Sequence, residues 1–196
     1  MPDFTTQIRS QLRESAELKQ RFSNELLARI SRLAETAASA IQQKHKMVFF
    51  GNGGSAADAQ HLAAELVVRL HRNRFSLPAI ALTTNTSIIT AAANDFGFEA
   101  VYSRQIESLV SAGDILVAIS TSGKSPNILR GSEAGRARQA FVVGMTGENG
   151  GELVSRVDLL INVPSQDAQR IQEAHITIGH IVCSLIEQIC CEPFGD

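Results

Sequence analysis

The stretch "MVFFGNGGSAADAQHLAAE", residues 47–65, changes character twice. Four apolar residues read as a buried strand. "GNGGS" reads as a tight turn, because closely spaced glycines let the backbone bend sharply and let another group approach it closely. "AADAQHLAAE" then has the composition of a helix. A strand delivered through a glycine turn into a helix is the opening half of a βαβ unit.

Working outward, the same alternation continues. Short apolar runs recur at "PAIAL" (78–82), "ILVAIS" (115–120), "AFVVGMT" (140–146) and "VDLLINV" (157–163). Helical patterns occupy roughly 55–70, 98–111, 126–138 and 167–191. Near-continuous apolar strands between helices imply a parallel sheet covered on both faces. Upstream, residues 5–44 read as helical in two pieces, with Leu26, Leu27, Ile30, Leu33, Ala34, Ala37 and Ile41 at helical spacing. "RFSNE" (21–25) marks the break, with Ser23 or Asn24 as the N-cap. The expectation is one α/β domain over 1–196, with no internal repeat or linker. In open parallel sheets ligands bind at the carboxyl ends of the strands, so the loops 51–55, 83–87 and 120–126 should carry the function.

Composition narrows the class. The chain has 196 residues, 44% hydrophobic and 19% charged, with a formal net charge of −2. That size suits one core, and the absence of a basic run argues against nucleic acid or an anionic membrane as partner. The N-terminal "MPDFTTQIRSQLRES" lacks the apolar core of a secretory signal, and no apolar stretch is long enough to span a bilayer. Cys183, Cys190 and Cys191 form neither a disulfide framework nor a thiolate zinc motif. A cytoplasmic protein is expected.

The turn fits G-x-G-x-x-G/A through Gly51, Gly53 and Ala56. A dinucleotide site also needs an acid about 20 residues on to hold the ribose. Here the second strand ends in "IALTTNTS", with no acid at its tip. No Gly-Lys-Ser/Thr follows at the spacing a P-loop requires, so the turn is not one. The reading left is a ligand held close to the backbone, facing Ser55 and the first N–H groups of the helix. The second loop, "ISTSGKSPN" (119–127), offers the hydroxyls of Ser120, Thr121, Ser122 and Ser125 beside Lys124. Pro126 then starts a helix, whose N-terminus favours an anion. This reads as a phosphate cup. An ordinary capped polar loop is the plainer alternative.

The ionisable residues add a third group. His61 and Glu65 share a helix face, with Arg69 one turn further. On the last helix, Gln172, Glu173, His175 and His180 interrupt the apolar row of Ile171, Ile178, Ile181, Val182, Leu185 and Ile189. His175 reads as a core histidine, and His180 cannot be assigned from that segment alone. "NDFGFE" (94–99) reads as a turn between helical segments, in which Asn94 and Asp95 contact a ligand or Asp95 caps the next helix.

Taken in order, "GNGGSAADAQHLAAE", "LPAIALTT", "NDFGFE", "GDILVAISTSGKSPNI", "GMTGENGGEL" and "RIQEAHITIGHIVCSLIE" resemble the sugar isomerase (SIS) domain family, and within it the bacterial phosphoheptose isomerases. The resemblance covers nearly the whole chain. It implies a three-layer α-β-α sandwich with a five-stranded, flavodoxin-like parallel sheet and an N-terminal helical extension used in packing and oligomerisation. It implies conversion of sedoheptulose 7-phosphate to D-glycero-D-manno-heptose 7-phosphate through an enediol, the first step towards the ADP-heptose of lipopolysaccharide. Matched motif to motif, Glu65 and His180 would be the acid–base pair. Ser120, Thr121, Ser122 and Ser125 would hold the phosphate, and Asn52, Gly53, Gly54, Ser55, Asn94, Asp95, Glu65 and Gln172 would complete the substrate site. His61, Glu65, Gln172 and His180 would bind one zinc ion. Gln172 and His180 are eight residues apart, about 12 Å along a helix, so both reach one metal only at full extension or across subunits. A homo-oligomer is therefore expected, a tetramer with shared sites in the family. The competing reading is a relative that binds the replication initiator DnaA without catalysis; retention of Glu65, Gln172 and His180 favours the enzyme. The chain departs from the family at Lys124, where many members have Asn, and at Gln169, where some have an acid.

Overall fold

The computed structural model describes residues 3–191. Two helices come first, α1 (Phe4–Gln20) and α2 (Asn24–Gln42), broken where the sequence predicts. Ser23 makes the break: its hydroxyl accepts the Leu26 N–H at 3.2 Å, satisfying one of the donors a helix start leaves open. The alternation follows as β1 (Met47–Gly51), α3 (Gly54–Val67), β2 (Ala79–Ala81), α4 (Thr86–Phe96), α5 (Ser103–Leu109), β3 (Ile115–Ile119), α6 (Pro126–Ala137), β4 (Phe141–Thr146), β5 (Leu159–Asn162) and α7 (Ala168–Cys190). Short 3-10 turns at Phe98–Ala100 and Gly151–Arg156 complete the order.

One expectation is corrected. Asn94 and Asp95 do not lie in a turn; they belong to the last turn of α4, which ends at Gly97. Gly97 has φ of 85° and tolerates the left-handed conformation that stops the helix. Asp95 caps nothing and instead accepts from the Asn94 side-chain amide at 2.8 Å. The helical pattern expected over 98–111 is correspondingly shorter, a 3-10 turn followed by α5.

The five strands form one sheet in the order β2-β1-β3-β4-β5, with every pairing parallel. This is the flavodoxin-like order, and its switch point lies between β1 and β3. The core has two halves, one on each face. Leu33, Ala37, Met47, Phe49, Leu62, Leu66, Ile178 and Val182 belong to the half built by α1, α2, α3 and α7. Val48, Phe50, Tyr102, Ile106, Leu116 and Ile128 belong to the half under α4, α5 and α6. Leu18, Leu26 and Ile30 lie in the first half, so the N-terminal helices are part of the core. No helix among the described residues is long and apolar enough to cross a membrane.

Candidate active site

The two loops at the switch point meet. Gly53, with φ of +57°, leads the chain into α3. Gly51 must lack a side chain, since a Cβ there would lie 2.7 Å from the Ser55 carbonyl oxygen. Ser55 itself is 3% exposed, packed against Gly51 rather than standing open to a ligand. Asn52 and Asn127 exchange two amide hydrogen bonds of 2.9 Å, tying the glycine turn to the first turn of α6. Tyr102, whose hydroxyl burial pushes up to about 12, donates to the Gly51 carbonyl from beneath.

In the serine loop, Ser120 is buried and its hydroxyl accepts the Gly123 N–H at 3.1 Å, so it shapes the loop. The Ser122 hydroxyl accepts the Lys124 N–H at 3.2 Å. Ser125 stands at the N-cap of α6 without spending its hydroxyl on a cap bond. Thr121, Ser122 and Lys124 line a cavity of about 220 Å³ with Gly147, Glu148 and Ser165. Hydroxyls and the Lys124 ammonium group on one space suit an anion, although the Glu148 carboxylate shares it and the N-terminus of α6 is not part of its lining.

A second group forms along α3 and α7, which run side by side in the same direction. Gly54 faces Gln172, Leu62 faces Gly179, and His61 faces His180. The spacing of Gly54, Asp58, His61 and Glu65 puts all four on the stripe of α3 turned to α7. The Nε2 atoms of His61 and His180 are 2.8 Å apart, with the rings edge-on at 81°. Glu65 Oε1 lies 3.2 Å from His61 Nε2. Asp58 reaches the same place from one turn up. Burial raises its carboxyl, partly offset by the His61 and His180 imidazoles, and its Oδ2 is buried without a hydrogen-bond partner.

These residues fit a metal ion. Ligand atoms of His61, Glu65 and His180 all lie within 4.8 Å of one another. Nitrogen and oxygen ligands of a tetrahedral zinc stand roughly 3.3 Å apart, close to the separations above. Two imidazoles and a carboxylate also match the donor preference of that ion. Gln172, the expected fourth ligand, is not in this cluster: its amide lies where a Cβ on Gly54 would come within 2.8 Å, two turns of α7 from His180. Asn94 and Asp95 are exposed on α4. Within one chain, therefore, the candidate site residues form two groups, the loops at the head of α3 and the His61, Glu65 and His180 cluster along it. Glu65 is about 16 Å down the helix from Gly54.

The SIS domain family model matches residues 12–147. A phosphoheptose isomerase of Aquifex aeolicus is 48% identical over 180 residues, spanning 92% of this chain and 94% of that protein. The chain belongs to the phosphoheptose isomerase family of SIS-domain enzymes. Solved family structures superpose closely: the Neisseria gonorrhoeae phosphoheptose isomerase GmhA at a TM-score of 0.88, with 39% identity over 94% of this chain and 98% of that one, and a Francisella tularensis member at 0.91, with 34% identity over 96% and 100%. Membership in the phosphoheptose isomerase family makes the chain a sugar-phosphate isomerase.

Three residues of this family member were not picked out by sequence reasoning. Asp58 is legible in the helical spacing it shares with His61 and Glu65, one turn ahead of His61. Asn127 sits inside a quoted motif but looks like an ordinary helix residue until Asn52 is placed against it. Tyr102, the one tyrosine of the chain, gives no local signal, because its role depends on packing under Gly51. His175 is the core histidine expected: it is 1% exposed and donates from Nε2 to the Thr146 carbonyl at 3.1 Å.

Proposed function

We propose that the chain isomerises sedoheptulose 7-phosphate to D-glycero-D-manno-heptose 7-phosphate, supplying heptose for ADP-heptose and lipopolysaccharide. The observation that carries this reading is the convergence of Glu65 with His180 across two parallel helices, in a chain whose relatives are phosphoheptose isomerases. The reaction needs one group to take a proton from C1 of the ketose and return it at C2, and another to move protons between O1 and O2. Glu65 and His180 supply a carboxylate and an imidazole for these two tasks. Removal of the C1 proton with protonation of O2 gives the enediol. Loss of the O1 proton with protonation of C2 gives the aldose, and no redox partner is required. Thr121, Ser122, Ser125 and Lys124 bind the phosphate, with Ser120 holding the loop in shape. Asn52, Gly53 and Gly54 form the floor under the sugar, and Gln172, Asn94 and Asp95 complete its surroundings.

His61, Glu65 and His180 would hold a zinc ion, with Gln172 of a neighbouring subunit as the fourth ligand. Such an ion would polarise the sugar carbonyl and stabilise negative charge on the enediolate oxygens. The separation of the two residue groups within one chain supports an active site assembled from more than one subunit of a homo-oligomer. The test is incubation with sedoheptulose 7-phosphate and zinc, with detection of the aldose product, beside Glu65→Gln. Wild-type turnover with loss in the variant is expected. No wild-type turnover would defeat the reaction; equal turnover by both would defeat the role of Glu65. Binding of DnaA without turnover would move the chain to the non-catalytic reading.

A further inference from the structure

The end of α3 is held by a buried ion pair that reaches the backbone of Glu65 itself. A helix leaves its last carbonyls without partners. Here Arg74, whose side chain is 0% exposed, turns back from the following loop. Its Nη2 donates to the Glu65 carbonyl at 2.8 Å, and its Nη1 to the Leu66 carbonyl at 2.7 Å and the Phe75 carbonyl at 2.9 Å. Its Nε donates to Glu187 Oε1 at 2.9 Å.

Glu187 is equally buried, at 1% side-chain exposure, and lies on α7 two turns beyond His180. Its two oxygens also accept the N–H groups of Leu70, His71 and Arg72 at 2.9, 3.0 and 3.3 Å. The pair therefore spans the two helices whose facing side chains are Glu65 and His180. At one end it grips the peptide of Glu65, and at the other the helix that carries His180. A buried ion pair contributes little net stability compared with apolar packing. What its full set of directional bonds supplies is fixed geometry, and a guanidinium fork supplies it where an ammonium group does not.

We propose that Arg74 and Glu187 are positioning residues for isomerisation, setting the placement of Glu65 relative to His180. This rests on the acid–base reading of those two residues. The glycine and serine loops bind the sugar phosphate at the far end of α3, so the effect belongs to the chemical step rather than to substrate binding.

The experiment compares kcat and KM for sedoheptulose 7-phosphate in the full-length wild type, Glu65→Gln, Arg74→Lys and Val142→Ala. Val142 is buried in the opposite core half and serves as a control for lost stability. Arg74→Lys keeps the charge facing Glu187 but cannot fork to both helix carbonyls. A misplacement of about 1 Å at a reacting group is enough to cost on the order of a hundredfold in rate. Arg74→Lys is expected to lose at least about tenfold in kcat, with KM within about twofold, while Val142→Ala at a matched drop in Tm keeps kcat within about twofold. If Arg74→Lys does not fold, Glu187→Asp, which withdraws the carboxylate by one methylene, is judged by the same criteria. An unchanged kcat in the Arg74 or Glu187 variant overturns the proposal, as does an equal kcat loss in Val142→Ala. A silent wild type, or a fully active Glu65→Gln, overturns it together with the acid–base reading on which it rests. An active wild type with an inactive Glu65→Gln and an unaffected Arg74→Lys overturns this proposal alone.

Discussion

Two buried side chains show how the environment, rather than the residue type, sets the chemistry. His175 and His180 lie five positions apart on one helix, but His175 is sealed in the core with Nδ1 unpartnered, and burial lowers its pKa to about 4. The folded protein thus resists a proton that the unfolded chain accepts below about 6.5. Stability from this histidine is complete above that pH and declines as pH falls towards 4, by up to about 3 kcal/mol. Thermal melts from pH 7 to pH 4 should show that decline, and His175→Gln should flatten it; an unchanged slope in the variant would refute the assignment. Asp58 is the converse case, a half-buried carboxylate beside two imidazoles, with its Oδ2 buried and without a hydrogen-bond partner. Its charge opposes folding but favours a cation at His61 and His180. Asp58→Asn should leave Tm unchanged or higher while weakening zinc binding roughly tenfold, because a nearby negative charge that favours the cation is removed. A competition titration against a chromogenic chelator measures this, and undiminished affinity would count against the role. The burial of His175 was legible from the apolar row around it, whereas the role of Asp58 depends on the imidazole that the neighbouring helix places opposite.

At the scale of elements, the strands and the parallel sheet were legible because each strand is apolar on both faces and bounded by turn residues. The N-terminal break was legible because Ser23 carries its own capping chemistry. α4 was harder, since its Thr86–Phe96 sequence buries only Ala92 and shows no broad apolar stripe. The loops of the site could be read from local sequence, but the His61, Glu65 and His180 cluster could not be read from spacing alone. It depends on α3 and α7 lying parallel at a particular register, which is a property of the packed pair. Gly179 sets that register: a Cβ there would meet the Leu62 side chain at 2.5 Å, and Leu62 is buried with little room to move. Gly179→Ala should therefore push α7 away from α3 next to His61 and His180. The expected cost is about 1–3 kcal/mol of stability, with activity falling further than the folded fraction. A variant with lowered Tm and wild-type activity per folded molecule would mean the register tolerates the shift.

At the scale of the whole molecule, the two residue groups pose a geometric problem that association can solve. The glycine and serine loops proposed to bind the sugar phosphate lie at the head of α3, whereas Glu65 lies about 16 Å along it, and Gln172 faces Gly54 rather than His180. The surface adds an independent reason to expect association. Phe4, Ile8 and Leu12 recur one turn apart on α1 and are 62%, 59% and 67% exposed, a continuous apolar row of the kind that marks contact with another chain. A homotetramer is expected by sedimentation, and Ile8→Glu with Leu12→Glu should shift it towards smaller species. The sharing of sites is tested separately, by mixing inactive chains. Glu65→Gln removes the acid–base group, and Ser122→Ala with Ser125→Ala removes the phosphate group. If each active site draws these groups from different subunits, random co-assembly of the two inactive chains restores up to roughly a quarter of the wild-type rate. If each site is built within one chain, every site in the mixture keeps a defect and no activity returns. Recovery must also depend on assembly, so the same chains mixed after folding, without exchange of subunits, should stay inactive. A fully active wild-type monomer would remove the reason for sharing altogether.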